Sequence, residues 1–323
     1  MGHLHHAALA LWLAMAGSVA AQDPTLRAAA QETGTVMWEL DTIRHYGLDA
    51  ANGFTLDVQA TAGADAAQIA FQGGAVDVIV SDWIWVARQN AAGEALVFIP
   101  FSRAVGGLLV PQDSTAQTLA DIDGGRIGVA GGRLDKGWII LQAYAQQTYG
   151  LDLAAATTQV FGAPPLIMNA ATTGQLEGAI NVWHFMARMQ AEGMRELISI
   201  ADAATALGLD PATPLLGYVV RAKLLEDNPA LVAGLARASQ QAKAVLADDS
   251  AAWARLRTRM GDPDDAAFAA LQAGFAAGKP LPGPVDVAAA QRMLALMSDL
   301  GGPDLVGDVT ALPEAMFYTL PPA

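Results

Sequence analysis

Residues 70–83 read Ala-Phe-Gln-Gly-Gly-Ala-Val-Asp-Val-Ile-Val-Ser-Asp-Trp, and they place the end of a helix directly before a buried strand. Residues 64–72 carry apolar side chains at helical spacing, and the pair Gly73-Gly74 is typical of a helix end. The run from Val76 to Val80 is short and, apart from Asp77, apolar and β-branched, as in strands of buried sheets. A helix followed so closely by such a strand predicts βαβ units and a parallel sheet.

A second stretch of the chain repeats this pattern. Gln-Gly-Gly-Ala-Val-Asp-Val-Ile at 72–79 resembles Leu-Glu-Gly-Ala-Ile-Asn-Val-Trp at 176–183. In both, a helix leads through Gly-Ala into a strand that ends near a tryptophan. Two similar α/β lobes would explain the echo, and chance similarity in an Ala-rich chain is the alternative.

Strand and helix signals alternate through the first two thirds of the chain. Further strands are predicted at residues 35–38, 55–59, 96–100, 107–111, 126–130, 159–161, 179–182, 197–200 and 216–220. Helices are predicted between them, at 41–51, 135–149 and 165–173. From Leu224 the pattern becomes wholly helical, beginning with the cap-and-proline pair Asn228-Pro229. The sequence therefore predicts an α/β protein with a helical C-terminal region.

The N-terminal residues are typical of an export signal. Residues 7–20 are apolar apart from Gly17 and Ser18, and this run is too short to span a bilayer. Val19-Ala20-Ala21 has the small side chains of a signal-peptidase site. We expect residues 1–21 to be a cleaved signal peptide and the mature protein to be periplasmic. A hydrophobic N-terminal helix of the domain is the alternative.

Composition disfavours several function classes. The formal net charge is −14, and none of it comes from residues 1–21, so nucleic acid and anionic membranes are not expected partners. The chain has no cysteine, and beyond the signal segment its only histidines are His45 and His184. We therefore expect no thiolate or histidine metal site and no cofactor. We also expect a monomer.

Catalytic motifs are absent from the sequence. There is no Gly-x-Ser-x-Gly elbow, and the glycine-rich residues 128–133 do not match Gly-x-Gly-x-x-Gly. We expect no enzymatic activity. A carboxylate site for a hard cation, built from residues such as Glu39, Asp41 and Asp82, stays open.

Three predicted strands end in segments that each contain a tryptophan. Ligands of open parallel sheets bind outside the carboxyl ends of the strands. The expected ligand-binding residues at these ends are Trp38, Glu39, Asp41, Ser81, Asp82, Trp83, Trp183 and His184. The alternative is that the tryptophans are core residues. If the segment is extended, Trp83 and Trp85 point in opposite directions, so only one of them could face a cleft.

The pair Gly131-Gly132 follows the strand at 126–130 and opens a helix. The free N–H groups at a helix N-terminus favour an anion, and Arg133 and Lys136 would add positive charge. We therefore include these four residues in the expected site. The alternative is that Asp135 caps the helix and both cations point to solvent.

The order of motifs resembles the NMT1/THI5-like, or nitrate/sulfonate/taurine-type, family of ABC transporter substrate-binding proteins. The resemblance covers about residues 35–260. It rests on Gly-Phe-Thr-Leu-Asp-Val at 53–58, Gly-Gly-Ala-Val-Asp at 73–77, Leu-Ala-Asp-Ile-Asp-Gly-Gly-Arg-Ile-Gly-Val at 119–129, Gly-Gln-Leu-Glu-Gly-Ala-Ile-Asn at 174–181 and Asn-Pro-Ala-Leu-Val at 228–232.

This resemblance implies a type II periplasmic-binding-protein fold, in which two α/β lobes are joined by two hinge crossings. We expect the crossings near Val110-Pro111 and Leu216-Gly217. The first lobe would comprise residues 34–110 and 217–320, with the C-terminal helices, and the second lobe residues 111–216. It also implies a periplasmic protein that captures a solute by hinge closure and delivers it to an ABC permease and ATPase complex, without catalysis.

The sequence leaves the ligand open. Carboxylates and indoles suit a cationic or flat nitrogenous molecule, whereas the helix end at Gly131-Gly132 suits an oxyanion. We favour a small organic molecule with an aromatic or amine part. A periplasmic sensor or accessory protein is the alternative role. A fold-related enzyme is disfavoured, because the chain has no cysteine and few histidines.

Overall fold

The computed structural model describes residues 23–321, so the predicted signal peptide lies outside the described residues. Ten strands form two five-stranded sheets. The first sheet contains β1 (Thr25–Gln31), β2 (Thr55–Thr61), β3 (Val78–Asp82), β4 (Leu96–Ser102) and β10 (Leu216–Arg221). The second contains β5 (Gly107–Pro111), β6 (Arg126–Ala130), β7 (Thr158–Gly162), β8 (Gly178–Asn181) and β9 (Met194–Ser199). We call each sheet with its flanking helices a lobe.

Both sheets have the same topology. Their strand orders are β2-β1-β3-β10-β4 and β7-β6-β8-β5-β9. In each, three parallel strands are followed by an antiparallel strand that returns from the other lobe. The two echoing segments lead into β3 and β8, which hold the same place in their sheets. The predicted two-lobed α/β fold is therefore confirmed.

Fourteen helices connect and cover the strands of the described residues. Those of the first half are α1 (Val36–His45), α2 (Leu48–Ala51), α3 (Ala64–Gln72), α4 (Trp83–Ala91), α5 (Lys136–Tyr149), α6 (Leu153–Ala156) and α7 (Pro164–Thr172). Those of the second half are α8 (Trp183–Ala191), α9 (Ile200–Ala206), α10 (Ala222–Asp227), α11 (Pro229–Asp248), α12 (Ser250–Leu256), α13 (Asp265–Ala277) and α14 (Val287–Val306).

The first strand differs from the prediction. Residues 35–38, predicted as a strand, form the start of α1, and β1 lies ten residues earlier, at Thr25–Gln31. This strand reads Thr-Leu-Arg-Ala-Ala-Ala-Gln, and its alanines have a weak strand propensity. It forms a strand because it lies between β2 and β3 in the middle of a sheet. Tertiary pairing therefore outweighs local preference here.

Two segments carry the chain between the lobes. Residues 103–106 join β4 to β5, and residues 200–215, with α9, join β9 to β10. The first crossing thus lies before β5, not near Val110-Pro111, because β5 pairs with β8 and β9 of the second sheet. The second lies directly before β10, which begins at Leu216.

The C-terminal helices contact both lobes. Helix α14 packs against α4 of the first lobe and α5 of the second, and α13 packs against α8 of the second. One hydrophobic core accordingly joins Ile84, Ile139 and Met293 from these three elements. Among the described helices, none is long and apolar enough to cross a membrane.

Candidate functional site

A cleft of about 360 Å³ lies between the lobes, at the carboxyl ends of the parallel strands. Its walls come from the ends of β1, β3, β6 and β8, from the helices that follow them and from the first crossing. The lining is mainly apolar, with Ala29, Ala30, Val36, Val80, Val105, Ile140, Ile180, Trp183, Phe185, Ile200 and Leu216 among its members. Its polar side chains are Gln31, Thr35, Asp82, Asp135, Lys136, Asn181 and His184.

Many helices begin at this cleft. N-terminal residues of α1, α3, α5, α7, α8 and α9 line it, together with Asp82, the N-cap residue of α4. This arrangement follows from the topology, because each of these helices leaves the carboxyl end of a strand. The exposed N–H groups and the positive end of the helix dipole therefore point toward the same space.

Side chains cap some of these helix ends and leave others free. Asp82, Asp135 and Ser199 accept hydrogen bonds from the backbone N–H groups of α4, α5 and α9, each at 2.9 Å. The cap residues of α1 and α8, Thr35 and Val182, make no side-chain cap bond. Backbone carbonyls accept from the N–H groups of Met37 and Phe185. Within residues 23–321, the N–H groups of Val36 in α1 and of Trp183 and His184 in α8 have no hydrogen-bond partner, so they are left for a ligand or water.

An ion pair links the two lobes across the cleft. Lys136 Nζ of the second lobe lies 3.1 Å from Asp82 Oδ2 of the first, and both side chains are partly buried. Asp82 therefore both caps α4 and holds Lys136. Beside them, burial raises the pKa of Asp135, whose carboxyl caps α5. Lys136 is the cation in the lining, and the lobes must stand close together for it to reach Asp82.

Aromatic side chains at the start of α8 form one end of the cleft. Trp183, His184 and Phe185 all line it, and the rings of Trp183 and His184 lie 5.6 Å apart in an edge-on arrangement. Burial and the nearby Arg188 charge lower the pKa of His184 to about 4. His184 is therefore neutral at physiological pH and offers a flat ring with one donor and one acceptor.

Of the predicted ligand-binding residues, the structure brings Asp82, Lys136, Trp183 and His184 to the cleft. Trp38, Glu39 and Asp41 do not line it, because residues 35–38 are helical and α1 turns these side chains elsewhere. Trp38 is buried at the edge of Trp183, with ring centroids 6.0 Å apart.

The two carboxylates of α1 serve as structural ion pairs. Glu39 is fully buried and pairs with Lys243 of α11. Asp41 lies 2.7 Å from Arg255 and 2.9 Å from Arg259. The carboxylate cation site that the sequence left open therefore loses two of its three members, and the described residues contain no cluster of side chains suited to hold a metal ion.

The remaining predicted residues also lie outside the cleft lining. Ser81 is buried and its hydroxyl accepts from Gln68 at 3.2 Å, and Trp83 is fully buried in the core. Gly131 and Gly132 lie beside the cleft rather than in its wall, and the exposed Arg133 pairs with Asp304 at 3.0 Å. Asp135 caps α5, as the alternative interpretation of this turn expected. Arg133 is exposed, as that interpretation also expected, but Lys136 lines the cleft.

Sequence reasoning missed the end of β1 and the first crossing. Ala29, Ala30 and Gln31 line the cleft from β1, and Ala104 to Gly106 line it from the crossing. The alternation of polar Thr25 and Arg27 with apolar Leu26 and Ala28 is a short period-2 pattern that could have indicated the strand. The crossing carries no local signal, since its role comes from where the two sheets meet.

Comparison with known proteins connects this fold to one family. The family model described as NMT1/THI5 like matches residues 47–252. The fold is similar to the periplasmic aliphatic sulphonate-binding protein SsuA of Escherichia coli, with 19% identity, 89% of this chain and 95% of that chain covered and a TM-score of 0.70. It is also similar to the alkanesulfonate-binding protein SsuA of Xanthomonas axonopodis pv. citri bound to MOPS, with 18% identity, 93% and 100% covered and a TM-score of 0.69.

An enzyme shares the fold at lower similarity. The desulfurization enzyme DSZB matches with 16% identity, 91% of this chain and 97% of that chain covered and a TM-score of 0.58. No curated protein matches the sequence. At identities of 16–19%, the solved structures establish the fold alone. The family model covers more than half of the chain and therefore establishes family membership. The chain belongs to the NMT1/THI5-like family.

Proposed function

We propose that this protein is the periplasmic solute-binding component of an ABC importer, and that it captures a small organic anion between its two lobes. The observation that carries the proposal is the convergence of helix N-termini on an apolar cleft between the lobes. Family membership and the likeness to sulfonate-binding proteins support the carrier role.

The charges around the cleft favour an anion over a cation. The carboxylates of Glu39 and Asp41 are turned away from it, and Asp82 is neutralised by Lys136. Because the Lys136 charge is balanced by Asp82, the walls offer N–H donors rather than a net positive charge: those at the starts of α1 and α8, and the N–H groups of the Lys136 ammonium that Asp82 does not use. Backbone N–H groups at helix ends bind sulfonate, carboxylate and phosphate oxygens in this way.

The rest of the cleft favours an apolar body on the ligand. A volume of about 360 Å³ is at the lower end of the range for small-molecule sites, and most of the lining side chains are apolar. A compact molecule with a terminal oxyanion and a short aliphatic or aromatic body would use both features.

Capture would proceed by movement of the lobes about the two crossings. We take the lobe boundaries at residues 103–106 and directly before Leu216, with α10 to α12 attached to the first lobe and α13 and α14 in contact with both. The export signal at residues 1–21 would deliver the protein to the periplasm, where a permease and ATPase complex would accept the solute. No step of this role requires catalysis.

The direct test is native mass spectrometry of freshly purified protein, followed by thermal-shift screening. The screen contains alkanesulfonates, carboxylates, amines, pyrimidines and metal ions. We expect organic anions to stabilise the protein, by about 2.7 kcal/mol at a hundredfold excess over Kd. Stabilisation by amines or metal ions alone would contradict the anion assignment, and no stabilisation by any compound would contradict solute capture.

The aromatic end of the cleft favours a second candidate, an uncharged flat heterocycle. Trp183, His184 and Phe185 could stack on such a ring, and the neutral His184 could exchange hydrogen bonds with ring nitrogens. The pyrimidine arm of the screen distinguishes this candidate. A sensor or accessory role would use the same cleft, and loss of solute uptake on deletion of the gene would favour transport over it.

A further inference from the structure

Helix α13 contains a glycine that its own helical context disfavours. Gly274 lies within Asp265–Ala277, where most neighbouring residues are alanine. A glycine inside a helix is less stable than an alanine, because it loses more backbone freedom on folding. Its place here therefore calls for a reason outside the helix.

The reason is a close contact with the cleft tryptophan. A Cβ atom on residue 274 would lie 2.6 Å from both Cε3 and Cζ3 of Trp183. Non-bonded carbon atoms approach only to about 3.5–4.0 Å. The benzene edge of this indole thus occupies the space that any side chain at 274 would need.

Helix α13 is held in place at the first crossing. The carbonyl oxygen of Gly278, at the end of the helix, accepts from Arg103 N at 2.9 Å and from Ser102 Oγ at 3.3 Å. The next carbonyl, of Lys279, accepts from Arg103 Nε at 3.1 Å. The helix is therefore fixed to the segment about which the lobes would turn.

Trp183 lies between this helix and the cleft. It belongs to α8 of the second lobe, it lines the cleft, and its ring also contacts Trp38 of the first lobe and His184. The other cavity that Trp183 borders measures only about 10 Å³, too little for a displaced ring. The larger open space available to an indole pushed off α13 is therefore the cleft. The surface of α13 therefore determines how much of the cleft the indole occupies.

We propose that Gly274 is a positioning residue that sets the ligand size accepted by the cleft, by allowing Trp183 to seat against α13. This inference rests on the proposed function for its effect on affinity, whereas the seating of Trp183 can be measured without a ligand. Gly274 itself does not line the cleft.

The test compares Gly274→Ala with the wild-type protein by two readouts. The first is the ¹⁹F resonance of Trp183 in protein labelled with 6-fluorotryptophan, which carries fluorine beside Cζ3, with Trp183→Phe used for assignment. The second is calorimetric titration with a bulky probe, naphthalene-2-sulfonate, and a small one, ethanesulfonate. We expect Gly274→Ala to shift the resonance and to weaken the bulky probe about tenfold more than the small one.

Two further variants make the test decisive. Ala276→Val adds bulk to an exposed position of the same helix, and it should change neither readout. Gly274→Ala combined with Trp183→Phe should bind both probes as Trp183→Phe alone does, because the smaller ring leaves room for the new methyl group.

The outcomes separate the two proposals. A raised melting temperature for Gly274→Ala, with an unchanged resonance and an unchanged affinity ratio, would overturn the positioning role. An equal effect of Ala276→Val would overturn it as well. If the wild-type protein binds neither sulfonate, the proposed ligand class fails, and the fluorine resonance alone then decides whether Gly274 seats Trp183.

Discussion

Asp77 lies in the Gly-Gly-Ala-Val-Asp segment by which the sequence resembles its family, and it joins two strands. Its carboxylate accepts from the Arg27 side chain at 2.6 and 2.9 Å and from the Arg27 backbone at 3.0 Å. Glu177 does the same in the second lobe, accepting from Arg126 N at 2.6 Å. The acidic residues just before β3 and β8 thus fix each of these strands to its parallel neighbour, β1 or β6.

A pH prediction follows for Asp77. Burial alone would raise its pKa, but the hydrogen bonds from Arg27 lower it below its ordinary value of 3.8. The stability that this carboxylate contributes is then present above pH 3.8 and is lost as the pH falls through the lower, folded-state value. The free energy of unfolding, measured with urea, should therefore fall less steeply in Asp77→Asn than in the wild-type protein as the pH is lowered through the acid range. The exposed Asp113→Asn is the control, and an equal change in its pH dependence would contradict the role of Asp77.

The network around Glu39 gives a second prediction at this scale. Glu39 Oε1 accepts from Tyr218 Oη at 2.8 Å and Ser239 Oγ at 2.6 Å, and Oε2 pairs with Lys243. Lys243→Met would leave a buried carboxylate without its cation, at a cost of about 3–5 kcal/mol in the free energy of unfolding. Glu39→Gln combined with Lys243→Met should recover most of this loss, because the amide oxygen still accepts from both hydroxyl groups. If the losses in the free energy of unfolding of the two single variants simply add up in the double variant, Glu39 and Lys243 are not coupled.

Among the elements, the accuracy of each prediction from sequence depends on how local its signal is. Helix α3 was predicted with its observed bounds, and β3 and β8 to within two residues, because apolar periodicity and glycines mark them. Asp82, Trp183 and His184 were therefore placed at the cleft. Trp38, Glu39 and Asp41 were not found in it, because the pairing of the Ala-rich β1 is decided by distant strands. No residue near 35–38 signals that the true strand lies earlier.

The uncapped start of α8 gives a prediction at the scale of an element. Val182 is its N-cap residue and lines the cleft. Val182→Asp should stabilise the helix by about 1 kcal/mol through a cap bond and the helix dipole. The same carboxylate should weaken an anionic ligand about tenfold by like-charge repulsion. Melting temperature and calorimetric titration with ethanesulfonate measure the two effects.

Val182→Asn is the matched control for this charge. It offers the same cap bond and a similar shape, so it should retain the gain in melting temperature without the loss of affinity. Equal affinities in the aspartate and asparagine variants would show that no anion lies near the start of α8.

In the whole molecule, three kinds of contact hold the lobes together: the two crossings, the C-terminal helices and the pair between Lys136 and Asp82. The last is the contact most directly tied to the cleft. Lys136→Met should shift the molecule toward a more open arrangement, with a larger radius of gyration in small-angle X-ray scattering, and should weaken an anionic ligand. The control is Arg133→Met, which removes an exposed pair with Asp304 of little expected energetic value. An unchanged radius and affinity for Lys136→Met would exclude a role in closure.

The topology also has a consequence for the order in which the elements can fold as the chain emerges with its N-terminus first. All five strands of the second sheet lie within residues 107–199, so that sheet can assemble before the remainder of the chain has arrived. The first sheet cannot, because β10 must insert between β3 and β4. Helices that pack against the C-terminal segment must also wait, α8 for α13, and α4 and α5 for α14. The apolar side chains of Trp183 and Ala187 would thus stay exposed until α13 has emerged, and if the protein is exported as proposed, a periplasmic chaperone could bind there.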